Sequence, residues 1–199
     1  MGASGRNSDA AFTAQKDFVV NAVNGLNIAD QRALVGILLY GPSIDVQVQL
    51  RDSLDRSALK NRIDRLLFPG YGTNLVATLM EAKTELMSAE NGARDNARKV
   101  LILLTNSKAD DKVNMALLRE ARKLQDSEVT IIVIGLGKSV DEMELTALAS
   151  GKDNLILIPD IVSLPTKAQD VVDMILPCKH SIHFQSFFLT FFNSKDLKP

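Results

Sequence analysis

Uninterrupted runs of apolar residues divide this chain and predict its buried β-strands. The clearest run lies in residues 99–106, where five apolar residues follow one another and end at the polar pair Thr105 and Asn106. Such a run suits a strand that is buried on both faces, as in a parallel sheet covered by helices. Ligands of these sheets bind at the carboxyl ends of the strands, so we expect a site near Thr105 and Asn106. Similar runs occupy residues 33–40, 129–134 and 155–158.

Between these runs, apolar residues recur at helical spacing and predict helices. A first helix is expected over residues 8–26, where Ser8 is able to cap its start. Residues 46–50 instead alternate apolar and polar side chains, which is typical of a half-exposed edge strand. Further helices are predicted over residues 57–67, from Thr73, over residues 113–124, after the capping-box pair Ser139 and Glu142, and from Pro165.

Strands that alternate with helices indicate an α/β fold: a doubly wound, mostly parallel sheet with helices on both faces. Such a pattern normally opens with a strand. This chain instead opens with a loop and a helix. The opening of the chain therefore departs from the usual pattern of such a fold.

Length and charge narrow the classes of partner. The 199 residues suffice for one sizeable α/β domain. A formal net charge of -1 gives no support for nucleic acid or an anionic membrane as a partner. No apolar run approaches the roughly 18 residues of a membrane span, and residues 1–6 lack the apolar core of a signal peptide. We therefore expect neither a membrane span nor a nucleic-acid partner.

Catalytic and metal-binding patterns are incomplete. Gly137 lies in a segment like part of a phosphate loop, but the glycine required five residues earlier is Ile132, so we interpret it as a turn before a capped helix. His180 and His183 provide too few ligands for a metal site. The single cysteine, Cys178, is either a free thiol or half of a disulfide whose partner lies outside this chain. These residues predict no enzyme.

Scattered polar residues remain as site candidates. Ser4 and Arg6, Thr73 and the pair at 105–106 lie in loops that converge at one end of a doubly wound sheet. Hydroxyl groups there, if joined by carboxylates, would suit a hard cation such as Mg²⁺.

Several short segments, in this order and spacing, make the chain resemble a von Willebrand factor type A (vWA) domain from about Gly2 to Pro177. The segments are residues 3–5 before the Phe12 helix, 35–40, the turn Gly72-Thr73-Asn74, 100–105, 129–137 and 144–150. The resemblance implies a Rossmann-like fold and a non-enzymatic protein-binding module.

The family carries a metal-ion-dependent adhesion site (MIDAS), which this chain matches only in part. Ser4 matches its first serine and Thr73 its threonine, but Gly2, Arg6 and Asn106 replace an aspartate, a serine and a second aspartate. Two hydroxyls and an amide are a poor cage for Mg²⁺, so we expect no cofactor, or weakly bound Mg²⁺ held by Ser4 and Thr73. Arg6 either fills the vacated space or points into solvent. The predicted ligand-binding residues are Ser4, Arg6, Thr73 and Asn106.

The resemblance also implies that the family's first, central strand is missing, which would leave the strand at 99–106 without a neighbour on one side. Family members of the extracellular type pair a cysteine at the place of Cys178 with one ahead of that strand. We expect a domain over residues 1–178 and a phenylalanine-rich tail over residues 179–199. The tail is an aggregation-prone appendage or a read-through product; the alternative is that residues 182–192 pair with the sheet.

The resemblance favours a binding module of an extracellular matrix or cell-adhesion protein, with matrix components as protein ligands and with the signal peptide absent from this fragment. The alternative is an intracellular vWA scaffold for complex assembly, in which Cys178 is a free thiol. A nucleotide-binding enzyme is the weakest interpretation because no phosphate loop is complete.

Overall fold

The computed structural model describes residues 3–26, 28, 33–70, 74–106, 115–176 and 185–191, with residues 3–9 and 185–191 described by their backbone alone. The helices are α1 (Ala3–Gly25), α2 (Arg56–Asp64), α3 (Leu75–Glu81), α4 (Met115–Asp126), α5 (Glu142–Leu148) and α6 (Ala168–Ile175). The strands are β1 (Ala33–Tyr40), β2 (Ile44–Val48), β3 (Arg98–Thr105), β4 (Val129–Leu136), β5 (Leu155–Ile158) and β6 (Gln185–Phe191).

The strands form one sheet in the order β2-β1-β6-β3-β4-β5. All neighbours pair in parallel except β1 and β2, which form an antiparallel hairpin at one edge. This is the α/β, doubly wound architecture expected from the sequence. The apolar run of β3 is buried from Val100 to Thr105, as predicted for a strand covered on both faces.

Two hydrophobic cores lie on opposite faces of the sheet. One includes residues of α1, α2 and α6 with alternate residues of β1, β3 and β4. The other includes residues of α3, α4 and α5 with the intervening strand residues. Helix α1 buries Ala11, Phe12, Phe18, Val19 and Ala22, a stripe at helical spacing, against the first core. Within the described residues, no helix is both long and apolar enough to cross a bilayer.

The centre of the sheet is occupied by a strand from the carboxyl-terminal part of the chain. β6 lies between β1 and β3, and Leu189 is the register partner of both Ile37 and Ile102. The family resemblance implied that β3 lacks a neighbour on this side. In the structure, residues of the predicted tail fill that position. The alternative interpretation, that the phenylalanine-rich segment pairs with the sheet, holds for Gln185–Phe191. The division into residues 1–178 and 179–199 stays a prediction.

Two helix starts differ from the sequence expectation. α1 begins at Ala3, so Ser8 lies inside the helix and does not cap it. The cap of α5 is Asp141, whose side chain accepts hydrogen bonds from the next turn, and Ser139 is not part of it. In both cases the local sequence predicts a serine cap, but the position at which the helix begins depends also on the conformation of the neighbouring backbone.

Candidate functional site

The carboxyl edge of the sheet is built from turns that follow the strands. After β1, the Gly41 amide donates to the Ser43 carbonyl at 2.9 Å and turns the chain into β2. A Cβ added to Gly41 would lie 3.0 Å from the Gly70 carbonyl oxygen, so this turn packs against the backbone that follows Pro69. Gly70 itself has a φ of 93°, which a glycine adopts without strain. The turn after β1 and the segment that precedes Thr73 in the sequence therefore meet at this edge.

The Tyr40 side chain links β1 to β3 near the end of β6. Its side chain is fully buried, and its hydroxyl donates to the Leu104 carbonyl at 2.8 Å. Tyr40 belongs to β1 and Leu104 to β3, which are separated by β6; Phe191, the last residue of β6, pairs with Leu39. The phenol thus supplies a hydrogen bond to β3 at the level where the central strand stops. Burial raises the pKa of Tyr40 well above its usual value, and a hydrogen bond with the Thr105 side chain offsets part of this rise.

Asn106 follows β3 directly at the same edge. Its side chain is largely buried, with 8% of its surface exposed, and the preceding Thr105 is fully buried. At the end of this strand, where the sequence predicts a site, the structure therefore has an amide in a confined position. No carboxylate stands at this place in the sequence.

Three further polar side chains near this edge act as helix caps. Asn74 accepts a hydrogen bond from the Ala77 amide at the start of α3. Asp141, after β4, accepts from the amides of Met143 and Glu144 at the start of α5. Asp160, after β5, caps the short 3₁₀ helix that begins at Ile161. These oxygens stabilise helix termini by accepting from otherwise unpaired amides.

The structure describes only part of the predicted site. Ser4 and Arg6 lie on the backbone of α1 rather than in a loop, which corrects the sequence expectation. Phe12 packs edge-to-face on Phe68, beside the Gly70 turn, and Ser4 precedes Phe12 by about 12 Å along the helix axis. Thr73 and Cys178 lie outside the described residues, as do His180 and His183.

The described donors do not fit a resident divalent cation. Nowhere in the described ranges do three or more histidine, cysteine, aspartate or glutamate side chains gather in a group able to hold a metal ion. Mg²⁺ requires hard oxygen ligands, with carboxylates to balance its charge. At the carboxyl edge, Asp141 and Asp160 are engaged as caps, and Asn106 contributes a neutral amide.

Sequence reasoning missed Tyr40 and the two aspartate caps. The signal for Tyr40 is a hydroxyl-bearing aromatic residue at the end of an otherwise aliphatic strand, directly before the Gly41-Pro42 turn. The signal for Asp141 is an acceptor immediately before the acidic first turn of α5. Neither signal gives the partner of the hydrogen bond, since that depends on the packing of distant segments.

Comparisons with known proteins identify the family that shares this architecture. The family model of the von Willebrand factor type A domain matches residues 2–170. The collagen alpha-1(XX) chain of Mus musculus is 30% identical over 139 residues, which cover 70% of this chain and 10% of that protein. Matrilin-1 of Mus musculus is 30% identical over 139 residues, 70% of this chain and 27% of matrilin-1. The chain therefore spans only a small part of the length of these matrix relatives.

Solved structures show the same fold. Proximal thread matrix protein 1 from the mussel byssus superposes with a TM-score of 0.78 at 21% identity, over 86% of this chain and 44% of that one. Another structure of that protein has a zinc-occupied MIDAS motif, with a TM-score of 0.74 at 22% identity over 84% of this chain and 43% of that one. The manganese-loaded Plasmodium vivax TRAP protein has a TM-score of 0.64 at 17% identity, over 81% of this chain and 63% of that one. With the family model covering residues 2–170, this chain belongs to the von Willebrand factor type A domain family.

Proposed function

We propose that this chain is a non-enzymatic protein-binding module of an extracellular matrix or cell-adhesion protein. Its ligands are other proteins, matrix components among them, and it acts outside the cell. The matrilin and collagen relatives support this class of protein. The ligand surface is the carboxyl edge of the sheet, around Asn106 and the loop that carries Thr73, with Ser4 and Arg6 contributing from the start of α1.

The observation that carries the proposal is the chemistry of this edge. Of its described carboxylates, Asp141 and Asp160 accept from helix amides, and Asp45 accepts from the Gln47 side chain. Asn106 stands where the family's adhesion site has a carboxylate. A ligand acid held through a metal ion needs a cation with open positions. Without that cation, recognition relies on shape and on direct hydrogen bonds to the loops. The adhesion site is degenerate, and Mg²⁺ binds to Ser4 and Thr73 weakly or not at all.

Binding to immobilised collagens and matrilin-1 tests the function, with a matched pair of variants. Ser43→Arg adds a long charged side chain to an exposed position at the carboxyl edge. Ser127→Arg makes the same change at an exposed position just before β4, at the opposite edge. We expect Ser43→Arg to weaken binding at least tenfold and Ser127→Arg to leave it unchanged. Equal effects of the two variants, or no binding to any matrix protein tested, would contradict the proposal.

Metal independence is tested separately. The same binding assay is run with EDTA and with about 5 mM Mg²⁺, a concentration above the roughly 10⁻⁴–10⁻³ M at which extracellular modules bind Ca²⁺. We expect equal ligand binding in both, and no sub-millimolar Mg²⁺ affinity by calorimetry. A sub-millimolar affinity that Asn106→Ala abolishes would show a working cation site instead.

The environment of Cys178 distinguishes the extracellular module from an intracellular scaffold. We propose that this cysteine forms a disulfide with a cysteine outside the present sequence, since oxidising compartments favour such bonds. Thiol labelling of the natural protein isolated from tissue gives the answer. An unreactive Cys178 that becomes labelled only after reduction supports the extracellular assignment. A thiol that reacts without reduction once the protein is unfolded supports the intracellular scaffold.

A further inference from the structure

The space between β1 and β3 holds one extended strand, β6. β6 pairs in parallel with both neighbours over most of its length: residues 185–191 with β1 and residues 185–190 with β3. We propose that this space is a binding site that also accepts β6 of a second copy of the chain, so that two copies exchange their central strands and form a closed, two-fold dimer.

The two ladders make the site specific for a strand. Each neighbour presents to β6 a row of backbone amides and carbonyls, and unpaired groups of this kind are costly when buried. On either side of β6, Ile37 and Ile102 belong to the same buried core, as do Leu38 and Leu103 to the other. An empty site would therefore leave a gap one strand wide through both cores. Only an extended segment in the same register restores both ladders.

The connection to β6 allows either copy to supply the strand. The Arg98 guanidinium donates to the Ile175 carbonyl at 2.9 Å, so the end of α6 lies beside the start of β3. Gln185 is the register partner of Arg98, one strand spacing of about 4.8 Å away. Residues 176–184 connect these points and reach about 30 Å when extended. The extended length of residues 176–184 is therefore greater than the distance between the end of α6 and the start of β6 within one copy.

Reciprocal exchange keeps every ladder pairing, so the balance between monomer and dimer depends on the connection and on concentration. Residues 176–184 tether β6 to its own copy, and a connection of this length holds its end at an effective concentration roughly in the millimolar range. We therefore expect the unmodified chain to be monomeric at about 10 μM, and exchange to appear after refolding near 1 mM. Shortening the connection removes this advantage of the monomer. Without residues 178–183, three residues remain and reach only about 10 Å.

The full chain and the variant lacking residues 178–183 are refolded under reducing conditions at about 10 μM and about 1 mM. These concentrations lie below and near the millimolar effective concentration of a tethered strand. Light scattering after size exclusion then gives the mass. We expect the shortened variant to have a dimer-to-monomer ratio at least tenfold above that of the full chain at equal concentration. A shortened variant that is folded and monomeric at both concentrations would overturn the proposal.

A second measurement identifies the contact in any dimer. Isotope-labelled and unlabelled copies are refolded together, and isotope-filtered NMR records contacts between copies. Strand exchange requires contacts from Leu189 of one copy to Ile37 and Ile102 of the other, because these are register partners. A dimer in which these contacts occur only within one copy would refute exchange and indicate association through another surface.

Discussion

Replacing Leu189 by proline tests whether β6 supports the fold. Leu189 lies in the middle of β6, opposite Ile37 on one side and Ile102 on the other. Proline has no amide hydrogen and its ring does not fit the centre of a sheet. The lost hydrogen bond costs about 1 kcal/mol, and the buried carbonyl that it leaves unpaired costs about 1–3 kcal/mol. With the steric term, we expect a loss of roughly 3 kcal/mol or more in the free energy of unfolding.

Urea unfolding followed by circular dichroism measures this loss. For a slope of about 1–3 kcal/mol per molar urea, 3 kcal/mol lowers the midpoint by roughly 1–3 M. The control is Ala89→Pro, at an exposed first position of a short 3₁₀ helix where proline is tolerated, which should change the free energy by less than about 0.5 kcal/mol. If Leu189→Pro unfolds at the same urea concentration as the unmodified chain, β6 contributes nothing to stability and the central pairing is wrong.

Three further predictions concern residues around the site and its supports. Tyr40→Phe should cost about 1–3 kcal/mol, because it leaves a buried β3 carbonyl without its donor. Burial raises the folded-state pKa of Tyr40, so its contribution to stability is fully present below about pH 10, the pKa of an unfolded tyrosine. Urea midpoints should fall as the pH rises above that value toward the folded-state pKa. Tyr40→Phe should remove this part of the pH dependence. Gly92→Ala should lower the free energy of unfolding by more than about 2 kcal/mol, because Gly92 has a φ of 95° and an added Cβ would lie 2.7 Å from the Arg51 Cα. The matched control is Gly151→Ala, where the nearest atom is 3.4 Å from the added Cβ. This control should lower the free energy of unfolding by less than about 1 kcal/mol. Asp141→Ala should cost about 0.5–2 kcal/mol through loss of the α5 cap, while Asp141→Asn, which keeps an acceptor, should retain most of that stability; equal losses would exclude capping as the cause.

The strands β1, β3 and β4 were predictable because burial on both faces produces a continuous apolar run in the sequence. A run such as Val100 to Leu104 contains no polar residue, and few structures other than a covered strand accommodate it. The helices that cover the sheet follow from apolar spacing for the same reason. The α/β class therefore required no knowledge of distant contacts.

The place of β6 depends on distant contacts that the sequence does not display. Its phenylalanine-rich stretch has the composition of an aggregation-prone segment as well as that of a central strand. Which of the two it becomes depends on the space between β1 and β3, and both of these strands end 80 or more residues before β6 begins. The hydrogen bond of Tyr40 to Leu104 is non-local in the same way, whereas the replacement of a carboxylate by Asn106 was visible from sequence.

Amide hydrogen exchange of the full chain, resolved residue by residue by NMR, tests the central strand most directly. Amides in the middle of a sheet exchange only when the whole domain unfolds. For a stability of about 5 kcal/mol or more, this corresponds to at least about 10³-fold protection. We predict that residues 187–190 of β6 are as strongly protected as residues 100–103 of β3. Exchange of residues 187–190 at the rate of an unprotected chain, with β3 still protected, would contradict the account.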